Sequence, residues 1–365
     1  MIEVSGLIDP IQADFITRAL ERADADGVEV VVMRLDSKDG VLDGDRLLPL
    51  LNAIVTSRVP VTAWVGPGRA SRADGQAALV LNATRIRGFA PGATSDGRGP
   101  TGAELESATL GDFIVNLDGK RVGGRVLEIP LKVVERDGRP PQRELAVGAQ
   151  VRFDEPSLLA QLLHGVASPT AAYLLLVVGL LLMVFEFYTA GVGVAAGVAL
   201  ASLGLSAYGL GVLPTRPVGL ALVGLGVIGF SIDVQAGVPR VWTGIGTVAF
   251  VLGSVGLYDG FRVPWAVLVL VLASVALFMV SGMPAVIRTR FSTPTIGRES
   301  MIGEVGAAVS AIDPEGVVKV RAAVWRARTN RATPIQAGEE LRVAAVDGLV
   351  LEVEPLEGAA RDAGH

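Results

Sequence analysis

The sequence has no cysteine and only two histidines among its 365 residues, His164 and His365. Without thiols, disulfide bridges and thiolate metal sites are excluded. One histidine lies beside a long apolar block and the other ends the chain, so we expect no Ser–His catalytic pair. The net charge of −5 gives no electrostatic basis for binding nucleic acid.

Charged side chains are also scarce in residues 171–286, which contain only six. A bilayer core takes about 20 apolar residues per spanning helix. Polar or proline-containing breaks divide the block, so we predict a polytopic membrane region of about five helices. The predicted spans are residues 171–187, 191–212, 217–233, 241–257 and 264–283.

The flanks of this block have the composition of soluble domains, because all but six of the charged residues lie there. Arg288, Arg290 and Arg298 follow the last span, and the positive-inside rule therefore predicts a cytoplasmic C-terminal domain. Five spans then place the N-terminal domain outside the cytoplasm. No signal peptide is visible after Met1, so either it is absent from this chain or the first span directs insertion.

Strand-like and helix-like segments alternate in the N-terminal flank. Residues 28–35 are nearly all apolar and β-branched, which is typical of a strand buried on both faces. This alternation predicts an α/β domain with right-handed crossovers. The predicted strands are residues 2–8, 28–35, 59–65 and 86–89, and the predicted helices are residues 10–25, 42–55 and 73–82.

The order VSG, helix, VVVMRLD, helix, VPVTAWVGP, helix, FAPGAT resembles a known family. It is similar to the ClpP-like (crotonase-fold) serine protease domain of long NfeD-type membrane proteins. The resemblance implies a glycine-rich oxyanion loop after the second strand, a nucleophilic serine opening a helix, and a lysine base on a later helix.

The residues at these positions depart from the family pattern. The loop after Asp36 has a single glycine in Ser37–Gly40, and the nucleophile's place falls on Asp74, with Ser71 three residues earlier. Ser71 is therefore interpreted as a helix N-cap or a turn residue. None of the four lysines, at positions 38, 120, 132 and 319, lies in a helix that could face it. We accordingly assign no catalytic residue and predict a degenerate pseudo-protease domain.

Two acids interrupt the apolar block about 47 residues apart, Glu186 and Asp233, each at a span end before glycines. They predict a duplicated hairpin, with the acids either capping the next helix or serving ion transport. The spacing of Gly193 and Gly197 favours close helix packing or oligomerisation. Before the block, Ser157 and the following leucines predict a helix on the membrane surface, with His164 a solvated interfacial residue.

The C-terminal flank shows short strand-like segments with glycine turns, which predict a small β-barrel. This segment closely resembles the OB-fold NfeD domain. The matching residues include Ile302 and Gly303, the turn Asp313–Gly316, Trp325, and Pro334 with Ile335. An OB-fold can stack nucleic-acid bases on several aromatic side chains. Trp325 is the only aromatic residue here, so we interpret it as core or strand-edge packing.

The predicted fold is therefore multi-domain: a degenerate α/β ClpP-like domain, an α-helical transmembrane bundle and an all-β OB-fold. The predicted boundaries are residues 1–125 for the first domain, 126–170 for the linker and juxtamembrane helix, 171–286 for the membrane region, 296–356 for the OB-fold and 357–365 for a disordered tail.

NfeD-type proteins are associated with stomatin, prohibitin and flotillin-like membrane proteins, and the resemblance implies such a partner here. We predict a non-enzymatic integral membrane protein that organises this partner, contacts membrane lipids and forms a homo-oligomer. No cofactor, metal site or nucleic-acid partner is expected. The alternatives are a membrane-bound serine protease of the ClpP-like class and a small-ion or solute transporter.

Overall fold

The computed structural model describes residues 1–135, 142–146, 149–189, 193–236, 241–286, 298–329 and 333–356. The predicted tail at residues 357–365, which includes His365, lies outside this description. The chain divides into two compact units, Met1–Arg290 and Phe291–His365.

The N-terminal domain is built on a parallel sheet of seven strands with helices between them. Its strands are β1 Ile2–Ile8, β2 Val31–Gly40, β3 Val61–Val65, β4 Arg72–Ala73, β5 Ile86–Phe89, β6 Thr94–Ser95 and β7 Leu105–Glu106. The sheet order is β6-β4-β2-β3-β5-β7, and β1 also pairs with β2. Its helices are α1 Pro10–Ala25, α2 Gly44–Thr56, α3 Gln76–Ala83 and α4 Leu110–Asn116.

Burial explains why the central strands form where they do. All five residues of β3 are buried, because helices cover both faces of a parallel sheet. Trp64 in β3 is fully buried, and its indole N–H donates to the carbonyl of Ser107 at 3.2 Å. The predicted α/β domain is confirmed.

Two short antiparallel hairpins and a helix join this domain to the apolar block. The hairpin strands are β8 Arg121–Val122, β9 Arg125–Val126, β10 Leu131–Val134 and β11 Gln142–Leu145, and the helix is α5 Leu158–Val166. Ser157 caps α5 by accepting from the Ala160 N–H. Leu158 and Leu159 of α5 are 85% and 67% exposed, whereas His164 on its opposite side contacts the N-terminal domain.

The apolar block forms five helices, of which four are long and apolar enough to span a membrane. The predicted fourth span is shorter than expected, because its helix ends after 15 residues at Val255. The helices are α6 Pro169–Thr189, α7 Val194–Val212, α8 Pro217–Ala236, α9 Val241–Val255 and α10 Trp265–Leu277, the last continuing through a π-helical turn Phe278–Gly282 toward Val286. The predicted transmembrane bundle is confirmed.

The C-terminal unit is a closed barrel of five strands in the order β12-β13-β14-β16-β15. A 3-10 turn at Arg298–Met301 precedes it. The strands are β12 Val305–Ala308, β13 Glu315–Val320, β14 Ala323–Thr329, β15 Glu340–Asp347 and β16 Val350–Pro355. Its interior holds fully buried aliphatic side chains such as Val318, Leu341 and Val353. The predicted all-β barrel is confirmed.

Candidate active site in the N-terminal domain

Polar side chains cluster at one edge of the N-terminal sheet. β2 and β4 lie side by side through Ser37 and Ala73, and β4 is flanked on its other side by β6, through Ala73 and Ser95. Parallel strands present their carboxyl ends at one edge of a sheet, where α/β domains bind their ligands. Ser37, Ser71, Ser95 and the start of α3 therefore form the candidate site.

The segment after Asp36 differs from the predicted glycine-rich loop. Ser37–Gly40 continue β2, and β1 pairs with this stretch, with Leu7 opposite Asp39 and Ile8 opposite Gly40. These residues are therefore part of the sheet. The predicted oxyanion loop is a strand, because β1 extends far enough to pair with it.

Ser71 lies in the turn between β3 and β4 and is only 5% exposed. Its backbone N–H donates to the Gly68 carbonyl at 3.0 Å, and its Oγ accepts from the Gly68 N–H at 3.1 Å. The N-cap of α3 is Gly75. Of the two predicted roles for Ser71, the turn residue is therefore the correct one.

The three serines of the site differ in what their hydroxyl groups do. Ser37 donates its hydroxyl proton to the Asp39 carbonyl at 2.8 Å, and Ser95 donates to the Ala73 carbonyl at 2.9 Å. The Ser71 Oγ acts as an acceptor instead. Ser71 is therefore the serine whose proton is available to a base.

The first turn of α3 is covered by carboxylates. Asp96 accepts from the Gly75 N–H at 2.9 Å, and Asp39 accepts from the Gln76 N–H at 3.1 Å. A helix N-terminus stabilises such negative charge. Gly75 has a φ of +56°, and a Cβ there would lie 2.2 Å from Asp39 Oδ1. Asp74, at the predicted nucleophile position, directly precedes this turn, so these helix donors bind the chain's own carboxylates.

Lys38 is the lysine that the sheet places at this edge. It is exposed on β2, one residue beyond the pairing of Ser37 with Ala73. The hydrogen bonds of the described residues include none between Lys38 and Ser71. The sequence interpretation did not weigh Lys38 because it considered lysines on helices. Its place directly after the VVVMRLDS strand is the signal that could have located it at this edge.

His164 is half-buried against the N-terminal domain, in contrast to the predicted solvated position. Its Nδ1 lies 3.0 Å from Asp9 Oδ2, and its Nε2 lies 3.0 Å from the Ser5 carbonyl oxygen. The hydrogen bond to Asp9 raises the pKa of His164, whereas burial acts to lower it. Asp9 is buried and caps α1 by accepting from the Gln12 N–H. The imidazolium is therefore the counter-charge of a buried carboxylate.

The two acids of the apolar block both cap the helix that follows them. Glu186 Oε1 accepts from the N–H of Gly193, the N-cap of α7, at 2.8 Å. Asp233 Oδ2 accepts from the N–H and Oγ1 of Thr243, in the first turn of α9, at 2.7 and 2.9 Å. This geometry agrees with the capping alternative. A Cβ on Gly193 or Gly197 would meet nothing within 4 Å, so the predicted close packing is not formed among the described residues.

Trp325 in the barrel packs against the aliphatic core, as the sequence predicted. It lies opposite Val318 in the pairing of β13 with β14. Among the described residues, no group of three His, Asp or Glu side chains could hold a metal ion.

Two family models match the chain. The model of the NfeD integral membrane domain matches residues 170–283. The model of the NfeD-like C-terminal, partner-binding domain matches residues 298–355. These ranges coincide with the apolar helices and with the barrel.

Similarity to one known protein extends over almost the whole chain. The membrane-bound protease PH1510 of Pyrococcus horikoshii is 25% identical over 407 residues, which cover 96% of this chain and 92% of that protein. The C-terminal domain of stomatin operon partner protein 1510-C from the same organism is 41% identical and covers 17% of this chain and 98% of its own, with a TM-score of 0.17. The 1510-N membrane protease specific for a stomatin homolog, also from Pyrococcus horikoshii, is 17% identical. The match covers 46% of this chain and 96% of that one, with a TM-score of 0.35.

These comparisons contradict the prediction of a non-enzymatic scaffold and a pseudo-protease. The relative that matches along the whole chain is a membrane-bound protease, and the match includes the N-terminal domain. The prediction rested on the departures from the family pattern at a few positions, whereas the similarity to the protease extends over 96% of the chain. The membrane block and the barrel therefore match the NfeD integral membrane domain and the NfeD-like C-terminal domain.

Proposed function

We propose that the chain is a membrane-bound protease that acts on a stomatin-like membrane protein, which its C-terminal barrel binds. The observation that carries this proposal is the similarity to the membrane-bound protease PH1510 over 96% of this chain and 92% of that protein. Function depends on sites rather than on folds. The proposal therefore has to be tested at the residues of the candidate site.

Ser71 is the proposed nucleophile and Lys38 the proposed base. A serine becomes nucleophilic when a base can take its proton, and the Ser71 hydroxyl accepts a hydrogen bond whereas Ser37 and Ser95 donate theirs. Lys38 is exposed at the same sheet edge. A base works within about 3 Å of the proton it takes, and such contacts often tighten only when substrate is bound. Substrate binding has to bring the two side chains together.

The test uses the full chain in detergent, with peptides that span a stomatin-like protein and a serine-reactive fluorophosphonate label. We expect the wild type to cleave and to take the label. Ser71→Ala and Lys38→Met should each lower kcat/KM by at least about 1000-fold, as loss of a nucleophile or base does. The matched control is Ser57→Ala, outside the candidate site, whose hydroxyl donates to the Val59 carbonyl at 2.8 Å, and it should keep activity. Cleavage that survives Ser71→Ala, or a wild type that neither cleaves nor takes the label, contradicts the proposal.

The barrel is the proposed partner-binding part. Its family model is described as partner-binding, and the family resemblance implies a stomatin-like protein as the partner. Deleting residues 298–365 should abolish co-purification of that partner and leave membrane insertion intact, whereas deleting residues 1–120 should weaken it much less. Loss of the partner only from the N-terminally truncated chain would place binding in the other domain.

We further propose that the barrel is cytoplasmic and the N-terminal domain extracytoplasmic. The support is the positive charge of Arg288, Arg290 and Arg298 after the last apolar helix. A reporter fused after Thr289 should therefore report the cytoplasm. An external signal from that fusion would reverse the orientation.

A further inference from the structure

Two short connections of the membrane block are held together by backbone hydrogen bonds and an ion pair. They are residues 213–216, between α7 and α8, and residues 256–264, between α9 and α10. The Arg216 N–H donates to the Leu257 carbonyl, and the Asp259 N–H donates to the Pro214 carbonyl, both at 2.8 Å. The Arg216 guanidinium also pairs with the Asp259 carboxylate at 2.5 Å. These contacts hold both connections at the same end of the helix bundle.

An open cavity of about 790 Å³ lies at the joined connections. Its lining includes Arg216, Tyr258, Phe261, Arg262, Trp265 and Leu268. The inner side is apolar, and Val263 is 5% exposed. A space of this size accommodates a small-molecule headgroup with the first part of its apolar chains.

The position of the cavity places it at the depth of lipid headgroups. It lies where α8 begins, where α9 ends and where α10 begins, and Tyr258 donates its hydroxyl to the carbonyl of Pro169 at the start of α6. Trp265 is the first residue of α10 and is 78% exposed. Exposed tryptophan at the ends of spanning helices lies at the membrane–water interface.

The charge at the cavity is positive. Arg216 is balanced by Asp259, whereas Arg262 is exposed and forms no ion pair with any described residue. The described residues of the lining include no acidic side chain. An arginine at this depth prefers a phosphate, because its planar guanidinium can make two parallel hydrogen bonds to the oxygens. The cavity therefore combines an unbalanced cation, interfacial aromatic rings and an apolar wall.

We propose that this cavity binds the headgroup of an anionic phospholipid, with Arg262 on the phosphate and with Trp265 and Phe261 along the glycerol and upper acyl chains. The apolar wall and the depth of the cavity favour a lipid over a free anion. The proposal is independent of the proteolytic activity, because none of these residues belongs to the candidate active site.

The test is a lipid titration of the detergent-solubilised full chain, followed by native mass spectrometry. The probes are phosphatidylglycerol, phosphatidylcholine and inorganic phosphate. We expect phosphatidylglycerol to be retained more strongly than phosphatidylcholine, and inorganic phosphate at equal concentration not to displace it. Arg262→Gln should weaken phosphatidylglycerol binding about fivefold, the size expected for one basic side chain near anionic lipid. Arg262→Lys, which keeps the charge, should retain most of the binding.

The matched control is Arg58→Gln, because Arg58 is an 86% exposed arginine of the N-terminal domain, and it should leave lipid retention unchanged. Equal binding of the two lipids, displacement by inorganic phosphate, or unchanged binding in Arg262→Gln would each overturn the proposal. A second measurement protects against misfolded variants. In the wild type, brominated phosphatidylglycerol should quench the tryptophan fluorescence more than brominated phosphatidylcholine does, and Trp265→Phe should remove this difference. Equal quenching of the wild type by the two lipids would also overturn the proposal.

Discussion

The helical hairpins α6–α7 and α8–α9 share an arrangement but are packed differently. In α8–α9 the backbones touch: a Cβ on Gly246 would lie 2.8 Å from the Gly226 carbonyl oxygen. In α6–α7 a Cβ on Gly179 would instead meet the Leu203 side chain at 2.7 Å. Gly209 of α7 lies against α5, where a Cβ would be 2.6 Å from the Val166 carbonyl oxygen. The second hairpin is therefore packed backbone to backbone, whereas the first also supports the helix that contacts the N-terminal domain.

The capping acids of the two hairpins also differ in burial, and the more buried acid belongs to the more closely packed hairpin. Asp233 is 5% exposed and accepts two hydrogen bonds from Thr243. Glu186 is only partly buried and accepts one from Gly193. A buried acceptor matters more than an exposed one, because its donors cannot turn to water when it is lost. We therefore expect the stability of α8–α9 to depend more on Asp233 than the stability of α6–α7 depends on Glu186.

The largest expected effect comes from separating the backbones of α8 and α9. Gly246→Leu places a side chain where the Gly226 carbonyl and the Phe230 N–H lie within 3.0 Å of the new Cβ. We expect a loss of about 3 kcal/mol in the free energy of unfolding, typical of overpacking a close contact. Thermal unfolding of the full chain in detergent measures it.

The matched control for this change lies on the same helix. A Cβ on Gly244 would meet nothing within 4 Å, so Gly244→Leu has the same helix propensity but no clash. Its unfolding midpoint should stay near that of the wild type. Equal destabilisation by both variants would mean that helix propensity or lipid contact, and not backbone approach, decides the stability of this hairpin.

An intermediate effect is expected from removing the caps. Asp233→Ala leaves the half-buried donors of Thr243 without their buried acceptor and should cost about 2 kcal/mol. Glu186→Ala, at the more exposed cap of Gly193, should cost about 1 kcal/mol. The same unfolding measurement compares them. A larger loss from Glu186→Ala would reverse the proposed difference between the hairpins.

The membrane helices and the barrel could be predicted because local patterns encode them. A stretch with few charges predicts spans wherever it occurs, and regular glycine turns predict short strands. The predicted end of α9, at residue 257, was less accurate, because the helix ends at Val255. Residues 256–257 are as apolar as the helix but form a turn, in which the Leu257 carbonyl accepts from the Arg216 N–H. Hydropathy does not distinguish an apolar turn from the end of a helix.

The candidate site could be predicted only in part, because its contacts join distant segments. The strand at Ser37–Gly40 depends on β1, about 30 residues away in sequence. The contact of His164 with Asp9 joins residues 155 positions apart, and no local pattern signals it. The resemblance to a protease motif located the region of Ser71, but it did not show which hydroxyl has an available proton.

The smallest expected effect tests whether the first hairpin supports the N-terminal domain through α5. The pKa of His164 is raised above its ordinary value of 6.5, mainly by the hydrogen bond to Asp9. Its stabilisation is therefore complete below pH 6.5 and is lost as the pH rises through the raised pKa. The groups that face the pair are the Ser5 carbonyl, the Gln12 amide and, near Asp9, Tyr208 of α7. On deprotonation the buried carboxylate loses its counter-charge, which should cost about 1 kcal/mol.

Hydrogen exchange measures this loss, with rates corrected for the intrinsic effect of pH. Residues 158–166 and 2–8 should lose protection about fivefold on going from pH 6 to pH 9, which corresponds to about 1 kcal/mol. The described residues of the α8–α9 hairpin form no hydrogen bond with this pair, so their protection should not change. His164→Gln cannot titrate, so it should remove the pH dependence of residues 158–166. If protection of α5 and of α8–α9 falls together, or if His164→Gln keeps the pH response, the N-terminal domain is not held to the first hairpin by this histidine.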